Sequence, residues 1–327
     1  WANMAKFTRS GGEANAIAIR IARAASNKDN VAFCGYHGWH DWYVSSNIAK
    51  KNSLDDHLIS GVDTAGVPEA LNKTIFSFRY NDYKRIEHLV RCNNIGTIIM
   101  EVKRYLDPEN FFLKRIRKLC NDKKIVLIFD ECTTGFRQTY GGLHVNYGVN
   151  PDMAMYGKAI GNGFAINAVI GKKEIMEYAK KSFISSTFWG ERIGFVAGLA
   201  TLEEMKKTKS WVKILNIGNY IIKNIKKIAD DNKVKIEIIG IESIPTFIFK
   251  SKNHLGYKTL ITQEMLKKNM LASNLIYVST KHNKKKVDKY LFELNNVFKK
   301  IRIIEDRGNL KKYLKHKIVD TGFSRLN

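Results

Sequence analysis

The chain has 327 residues, of which 44% are hydrophobic and 26% charged, enough for one or two domains with buried cores. That balance excludes an intrinsically disordered chain and a collagen-like fibre, and no apolar run reaches the ~18 residues of a membrane-spanning helix. The formal net charge is +24, a value shared by many proteins that bind nucleic acids or anionic membranes.

The first part of the chain alternates predicted helices with predicted strands. Apolar residues at helical spacing predict a helix from Glu13 to about Ala25, and the apolar run Val31–Phe33 predicts a buried strand. After a loop-like stretch over 52–80, the predicted elements are a helix over 83–91, a strand over 97–100, a helix over 108–121 and a strand over 125–129. Continuously apolar strands separated by helices are typical of a parallel sheet covered on both faces.

The pattern changes after about residue 205. A long amphipathic helix over 210–229 precedes predicted strands over 234–239 and 246–249 and predicted helices over 262–269 and 284–300. We therefore predict an α/β fold with a large, mainly parallel-sheet domain over 1–205 and a smaller α+β domain over 206–327.

Most lysine-rich segments lie in this later part of the chain, for example Lys226-Lys227 and Lys284–Lys286. They are interleaved with Ile and Asn, a pattern typical of the solvent faces of helices. Because no nucleic-acid-binding motif accompanies them, we expect neither a nucleic acid nor a membrane as partner. A basic nucleic-acid-binding protein remains an alternative class, and its affinity would fall steeply with salt.

The chain has four cysteines without a C-x-x-C pair, Cys34, Cys92, Cys120 and Cys132. This pattern favours reduced thiols in a cytoplasmic protein over a disulfide scaffold or a structural zinc site. The chain begins at Trp1 rather than at Met and enters a motif almost at once, so we expect that an upstream segment is missing.

Two candidate catalytic residues follow predicted strands. Asp130, with Glu131, ends the strand over 125–129, at the edge where parallel sheets carry their working residues. A desolvated acid needs a partner, which could be a metal, a protonated ring nitrogen, a helix N-terminus or an ion pair of the fold. Lys158 lies among glycines after the apolar run 153–155, where a lysine is either a nucleophilic amine or an ordinary loop residue.

Two further motifs lie near predicted element ends. Ser10-Gly11-Gly12 precedes the first helix, where backbone N–H groups can bind an anion, although small residues before a helix are common. Tyr36-His37-Gly38 follows a strand and places an aromatic side chain next to a glycine. His37, His40 and Asp41 could bind a metal, but we expect none because no further ligand is evident.

An anion site, an aromatic face, a carboxylate and a lysine, in that order on an alternating chain, are the groups that pyridoxal 5′-phosphate needs. The stretches that match a known family are Phe7–Ala14, Tyr36–Gly38, Leu127–Glu131, Thr134–Arg137, Gly148–Asp152, Gly157-Lys158, Ser186–Trp189, 197–202 and, weakly, Gln263–Leu266 and Gly322-Phe323. In these stretches the sequence resembles the class III pyridoxal-phosphate-dependent aminotransferases of fold type I. The likeness is greatest to the glutamate-1-semialdehyde 2,1-aminomutase branch.

The resemblance implies that residues 1–205 form a pyridoxal-phosphate-binding domain, incomplete at its N-terminal side. Lys158 would form a Schiff base with the cofactor and shuttle the substrate proton, and Asp130 would pair with the pyridine nitrogen. The other cofactor-binding residues implied are Ser10, Gly11, Gly12, Tyr36, His37, Cys132 and Thr187. Of these, Tyr36 would stack on the ring, and Thr187 would be given to the phosphate site of a neighbouring subunit, which makes a homodimer a catalytic requirement.

The sequence departs from the family at three places near these motifs, of which one is Cys132, where the family usually has a small aliphatic residue. Gly12 replaces a residue that usually carries a hydroxyl group, and Trp189–Arg192 replaces a glycine, asparagine and proline found in many members. We therefore predict an aminotransferase with a small-molecule amino donor and acceptor, acting on a less common substrate such as a nucleotide-linked or carbohydrate intermediate. The alternatives are an aminomutase and a truncated non-catalytic homologue, although a scaffold would need neither Lys158 nor Asp130.

Overall fold

The computed structural model describes residues 1–49, 51–55, 57 and 60–320, so the Gly322-Phe323 stretch of the resemblance lies outside the described residues. The chain divides into two compact units. The first comprises Trp1–Lys103 and Asp107–Thr208, and the second comprises Arg104–Leu106 and the described residues from Lys209 onward.

The first unit contains a seven-stranded sheet with the order β1-β7-β6-β5-β4-β2-β3. Its strands are β1 (Met4–Thr8), β2 (Val31–Cys34), β3 (Ile75–Ser77), β4 (Thr97–Met100), β5 (Val126–Asp130), β6 (Met153–Tyr156) and β7 (Asn167–Gly171). The five strands from β6 to β3 pair in parallel, whereas β7 is antiparallel to both of its neighbours. The sheet is therefore mainly parallel, and the predicted α/β class is confirmed.

The helices of the first unit precede or follow these strands. They are α1 (Gly11–Ser26), α2 (Asp41–Val44), α3 (Ser46–Ala49), α4 (Tyr83–Cys92), α5 (Phe112–Lys123), α6 (Lys173–Met176) and α7 (Arg192–Thr208). The apolar face of α1 packs against β4 to β7, so α1 lies over the middle of the sheet. Every residue of β5 is buried, which agrees with its uninterrupted apolar sequence.

Helix α1 begins at a capping box. The Ser10 hydroxyl accepts a hydrogen bond from the Glu13 amide, and the Glu13 carboxylate accepts one from the Ser10 amide. This reciprocal pair satisfies two N–H groups that the helix itself leaves without partners. It places Gly11 and Gly12 in the first turn, facing the end of the sheet where the candidate residues lie.

The second unit has its own core and an antiparallel hairpin. Its elements are α8 (Ser210–Asp231), β8 (Ile236–Ile241), β9 (Ile244–Phe249), α9 (His254–Leu266) and α10 (Lys284–Arg307). Apolar residues of the three helices and β9 form a continuous buried cluster. The mixture of an antiparallel pair with three helices is the α+β arrangement predicted for this part of the chain.

Two elements differ from their prediction. Helix α9 covers His254–Leu266 rather than 262–269, because Tyr257, Leu260, Ile261 and Met265 form its buried face at helical spacing. Strand β3 lies within the stretch predicted to be loop, since three residues are too few to show a periodic pattern. None of the described helices has both the length and the apolar character that crossing a bilayer requires.

Candidate active site

A cavity of about 310 Å³ in the first unit lies where α1 begins and where β5 and β6 end. It is lined by Arg9, Gly11, Gly12, Asn15, Tyr36, Gly38, Asp130, Cys132, Thr133, Lys158, Phe164, Ala165, Ile166 and Asn167. Six of the residues singled out from the sequence therefore share one cavity, Gly11, Gly12, Tyr36, Asp130, Cys132 and Lys158. The carboxyl ends of neighbouring parallel strands meet at one edge of a sheet, which brings these distant residues together.

The carboxylate of Asp130 is held by three hydrogen bonds. Asn15 Nδ2 donates to Oδ2 at 2.9 Å, His37 Nδ1 lies 2.9 Å from the same oxygen, and the Cys132 amide donates to Oδ1 at 3.0 Å. Burial opposes ionisation of Asp130, but these hydrogen bonds outweigh it and hold the pKa of the carboxyl below its usual value. Asp130 is therefore a fixed anion at the cavity wall.

His37 lies behind Asp130 rather than at the cavity surface. Its ring is fully buried, stacks on Trp42, and has Nε2 3.2 Å from the carbonyl oxygen of Cys34. Asn15 also donates to the His37 carbonyl, at 3.1 Å. The geometry makes His37 a support for the carboxylate, with no direct access to a ligand in the cavity.

Lys158 reaches the cavity from the turn after β6. Its Nζ donates a 2.7 Å hydrogen bond to Thr133 Oγ1, and its side chain is exposed rather than enclosed by apolar groups. The backbone of Lys158 has φ of +44°, in the left-handed region that a residue with a Cβ adopts only at a cost. The amine is thus presented to the cavity on a locally strained turn.

Three glycines make the wall of the cavity next to α1. A Cβ on Gly12 would lie 2.8 Å from the His40 ring, and one on Gly38 would lie 3.0 Å from the Cα of Gly12. A Cβ on Gly11 would lie 3.5 Å from Cys132 Sγ. Side chains at these positions would fill space beside the helix N-terminus, where N–H groups without helical partners can bind an anion.

Cys132 faces the cavity as a neutral thiol. Burial raises the pKa of its thiol well above the usual value, and the neighbouring Asp130 raises it further, whereas Lys158 lowers it. The thiol is therefore protonated at neutral pH and contributes a small apolar surface rather than a nucleophile.

Besides His37, two residues singled out from the sequence do not line the cavity. Ser10 is occupied as the cap of α1 and is exposed. Thr187 is also exposed, at the start of the short 3₁₀ segment Thr187–Gly190. The structure of one chain therefore leaves Thr187 at the surface.

The acid next to Asp130 has a different environment. Glu131 is fully buried, with Oε1 accepting hydrogen bonds from the amide of His144 at 2.9 Å and lying 3.0 Å from its Nδ1. Its other oxygen accepts a 2.5 Å hydrogen bond from Thr134. With both oxygens bound inside the fold, Glu131 fixes the 131–144 loop.

Sequence reasoning missed Asn15, Thr133 and Arg9. Asn15 could have been found, because it is a polar residue on the face of α1 that otherwise carries buried Ala and Ile. Thr133 belongs to a Thr133-Thr134 pair, and the sequence does not tell which hydroxyl faces Lys158. Within the described part of the chain, no three His, Cys, Asp or Glu side chains are grouped to bind a metal.

Comparison with known proteins identifies a matching family and several relatives. Residues 3–265 match the family model of the class-III aminotransferases. The chain is 33% identical over 269 residues to 3-aminobutyryl-CoA aminotransferase of Cloacimonas acidaminovorans, covering 80% of the chain and 61% of that protein. It is 35% identical to glutamate-1-semialdehyde 2,1-aminomutase of Methanobrevibacter smithii, covering 74% of the chain and 58% of that protein. The chain thus spans about three fifths of the length of these two relatives.

Solved structures share the fold at lower identity. An omega-transaminase from Sphaerobacter thermophilus superposes with a TM-score of 0.81 at 22% identity, covering 92% of this chain and 75% of that one. A transaminase with bound pyridoxal phosphate gives a TM-score of 0.80 at 22% identity, covering 94% and 75%. The resemblance found in the sequence is confirmed, and the fold is that of the fold-type I pyridoxal-phosphate-dependent transferases.

Proposed function

Because the chain belongs to the class-III aminotransferase family, we propose that it is an enzyme that transfers amino groups with pyridoxal 5′-phosphate, using Lys158 and Asp130. The observation that supports this most is that Lys158 and Asp130 line the same cavity although they follow different strands. An amine that can capture an aldehyde and an anion that can hold a protonated ring nitrogen are the two charged groups that this chemistry requires.

The residues present fit the cofactor. The wall formed by Gly11, Gly12 and Gly38 leaves room beside the N-terminus of α1 for a phosphate group. Asn15 Oδ1 is a buried acceptor with no partner among the described residues, and Asn15 lines the cavity. When bound, pyridoxal phosphate supplies an aldehyde for an amine and a ring that stabilises negative charge on the substrate carbon.

The chain's own residues divide the remaining tasks. Asp130, kept ionised by its hydrogen bonds, would hold the proton on the ring nitrogen, and His37 and Asn15 hold Asp130 in place. Lys158 Nζ would hold the cofactor and move the substrate proton. Tyr36 and Cys132, which line the cavity, would contact the ring.

The phosphate end of the cofactor is assigned to the corner before α1. Backbone N–H groups of Gly11 and Gly12 would hold the phosphate there, and Ser10 fixes the position of those amides through the helix cap. Gly12 contributes no side-chain hydroxyl, so we assign this end to main-chain donors and to a group from a second subunit.

A homodimer belongs to this proposal. Four large apolar side chains are exposed, one in the segment before α7 and three on α7 itself: Phe188, Ile193, Val196 and Leu199. A second copy covering this face would place Thr187 of the first chain at the phosphate site of the second copy. In a single chain Thr187 lies at the surface. The four cysteines are free thiols, which supports a cytoplasmic location.

Substrate choice separates two activities within the family. An aminotransferase passes the amino group to a separate 2-oxo acid, whereas an aminomutase moves it within one molecule. The matches to both an acyl-CoA aminotransferase and aminomutases support keeping both, with transfer between two small molecules as the leading assignment. A screen of amino donors, with and without an added acceptor, distinguishes them by the spectral change of the cofactor.

The test of the proposal is reconstitution of the purified chain with pyridoxal phosphate. We expect a yellow protein in which borohydride fixes the cofactor on Lys158, as read by peptide mass spectrometry. Lys158→Ala should lose that label, and Asp130→Asn should keep it but turn over slowly. A colourless wild-type protein, or a label on another lysine, would contradict the assignment.

A further inference from the structure

The side chain of Arg9 binds the segment that carries Thr187. Its Nε donates to the carbonyl oxygen of Phe188 at 2.8 Å, and its Nη2 pairs with Glu191 Oε2 at 2.5 Å. Its Nη1 donates to the carbonyl oxygen of Ala165 at 2.9 Å. Every guanidinium nitrogen thus has a partner, and two of the three partners lie within residues 188–191.

The main chain of Arg9 is fixed as well. Its amide donates to Glu13 Oε2 at 2.9 Å, and its carbonyl accepts from Asn167 Nδ2 at 2.8 Å. Arg9 therefore connects the glycine corner, Ser10–Gly12 at the start of α1, to Ala165 and Asn167, which lie more than 150 positions away in the sequence. Within the segment Thr187–Gly190, Trp189 is partly buried and packs against the core of the first unit, whereas Thr187, Phe188 and Gly190 are exposed.

Glu191 is bound from two sides. Its Oε1 accepts a 2.7 Å hydrogen bond from the Ile193 amide in the first turn of α7, while Oε2 pairs with Arg9. The hydrogen bond from Ile193 and the pairing with Arg9 lower the pKa of this carboxyl. The anion caps α7 and at the same time neutralises Arg9, so Arg9 is not available as a free cation for a ligand.

The first turn of α7 approaches Arg9 at a glycine. A Cβ on Gly194 would lie 2.9 Å from the Ala165 carbonyl oxygen and 3.1 Å from Arg9 Nη1. A larger residue would displace the guanidinium or the helix. The guanidinium is therefore enclosed by Ala165, Phe188, Glu191 and the first turn of α7, a set of contacts that we call the Arg9 socket.

We propose that Arg9 is a positioning residue that holds Thr187–Gly190 in the orientation in which Thr187 completes the cofactor site of a second copy of the chain. This inference rests on the proposed function. Arg9 also lines the cavity of its own chain. Its donors, however, are committed to the 188–191 segment and Ala165, so its effect should be felt at the neighbour's cofactor.

Mixed dimers in which only one subunit keeps Lys158 distinguish an effect of Arg9 on the cavity of its own chain from an effect on the cavity of the neighbouring chain. In a dimer of an Arg9→Met subunit with a Lys158→Ala subunit, the competent site belongs to the Arg9→Met chain but is served by an intact segment. We expect its cofactor to be released at the wild-type rate, followed as loss of visible absorbance during dialysis. In a dimer of wild type with an Arg9→Met/Lys158→Ala subunit, the competent site is served by a loosened segment. We expect release about tenfold faster, the effect of losing roughly one charge-assisted hydrogen bond.

Matched variants control for unfolding and for loss of charge. Arg20→Met removes an exposed arginine that donates to a single backbone carbonyl, that of Phe183, and should leave release unchanged in both pairings. Arg9→Lys keeps the charge and one donor group. It should show the same difference in release rate between the two mixed dimers, but a smaller one. The unfolding temperature of each mixed dimer shows that the subunits remain folded.

Two results would overturn the inference. If the first mixed dimer releases cofactor fast and the second does not, Arg9 acts on its own cavity. If both release it at the wild-type rate, Arg9 has no positioning role. A wild-type chain that stays monomeric or binds no cofactor overturns the proposed function, and this inference with it.

Discussion

Asn15 Nδ2 donates a 2.9 Å hydrogen bond to Asp130 Oδ2 across 115 residues of sequence. The helix that begins at the glycine corner therefore also supplies the buried amide that fixes the carboxylate. Since both acceptors of Nδ2 are oxygen atoms, the orientation of the amide group is determined. Helix α1 thus contributes both the glycines that line the cavity and the amide that positions Asp130.

Replacing this amide should weaken both the fold and the site. For Asn15→Ala we expect a loss of about 1.5–3 kcal/mol in the free energy of unfolding, the range for a hydrogen bond to a charged group. The pKa of Asp130 should rise toward its usual value, and turnover should fall. Urea unfolding and steady-state kinetics measure the two effects. Asn224→Ala, which removes an amide bonded only to the Tyr220 carbonyl, is the control and should leave turnover unchanged.

Acid should destabilise the protein through Asp130. Its pKa is lower in the folded chain than in the unfolded one, where it is about 3.9. The stabilisation from its ionised form is therefore complete above that value and is lost as the pH falls through the folded-state pKa. We expect the free energy of unfolding of the cofactor-free protein to fall below about pH 4, and to fall less in Asp130→Asn. If the free energy of unfolding fell equally with pH in the two proteins, the lowered pKa of Asp130 would be refuted as the cause.

The hydroxyl of Thr133 should matter to Lys158. Thr133→Val keeps the shape of the side chain but removes the acceptor that Lys158 Nζ uses at 2.7 Å. We expect cofactor affinity to fall about fivefold, corresponding to a hydrogen bond worth ~1 kcal/mol. Thr133→Ser retains the hydroxyl and should bind within about twofold of wild type by fluorescence titration. Equal affinities for the Val and Ser variants would show that the contact is not used.

Thiol reactivity should report burial. Cys92 is exposed, whereas Cys34, Cys120 and Cys132 are buried, and burial raises the pKa of the Cys120 thiol to about 12. Because the thiolate is the reactive form, iodoacetamide at pH 8 should label Cys92 alone in the native protein and all four thiols after denaturation. Cys92→Ser should give no native label. Rapid native labelling of Cys132 would contradict its placement.

Two helix glycines should respond differently to alanine. A Cβ on Gly218 in α8 would lie 1.9 Å from the carbonyl oxygen of Glu242, whereas one on Gly198 in α7 would make an ordinary 3.6 Å contact with Ile166. We expect Gly218→Ala to reduce the free energy of unfolding by about 1–3 kcal/mol through overpacking. Gly198→Ala should be neutral or stabilising by up to ~1 kcal/mol, the gain in helix propensity. Thermal unfolding of both variants measures the contrast.

The elements that the sequence predicted well are those with a strong local signal. β5 and α8 were recognisable because one is a continuous apolar run and the other has a long amphipathic repeat. The antiparallel β7 was not predicted, since its five residues carry no sign of direction. Pairing direction depends on the connection and on neighbouring strands, which a local pattern does not contain.

The candidate site divides in the same way. Lys158 and Asp130 were found from residue type and position at strand ends, and the structure places both at one cavity. Asn15 and Arg9 were not found, because their roles depend on partners 115 and more than 150 residues away. A residue on a helix can donate a hydrogen bond to a carboxylate on a strand only when the helix packs against that strand.

The sequence by itself determined the fold class and the family and pointed to two candidate catalytic residues, because hydrophobic periodicity and short motifs are local properties of the chain. Only the tertiary structure decided how those groups are held. His37 lies behind Asp130, Thr133 lies against Lys158, and Arg9 lies in the socket beside α7. The physical reason is that hydrogen bonds act over about 3 Å in space, whatever the distance along the chain.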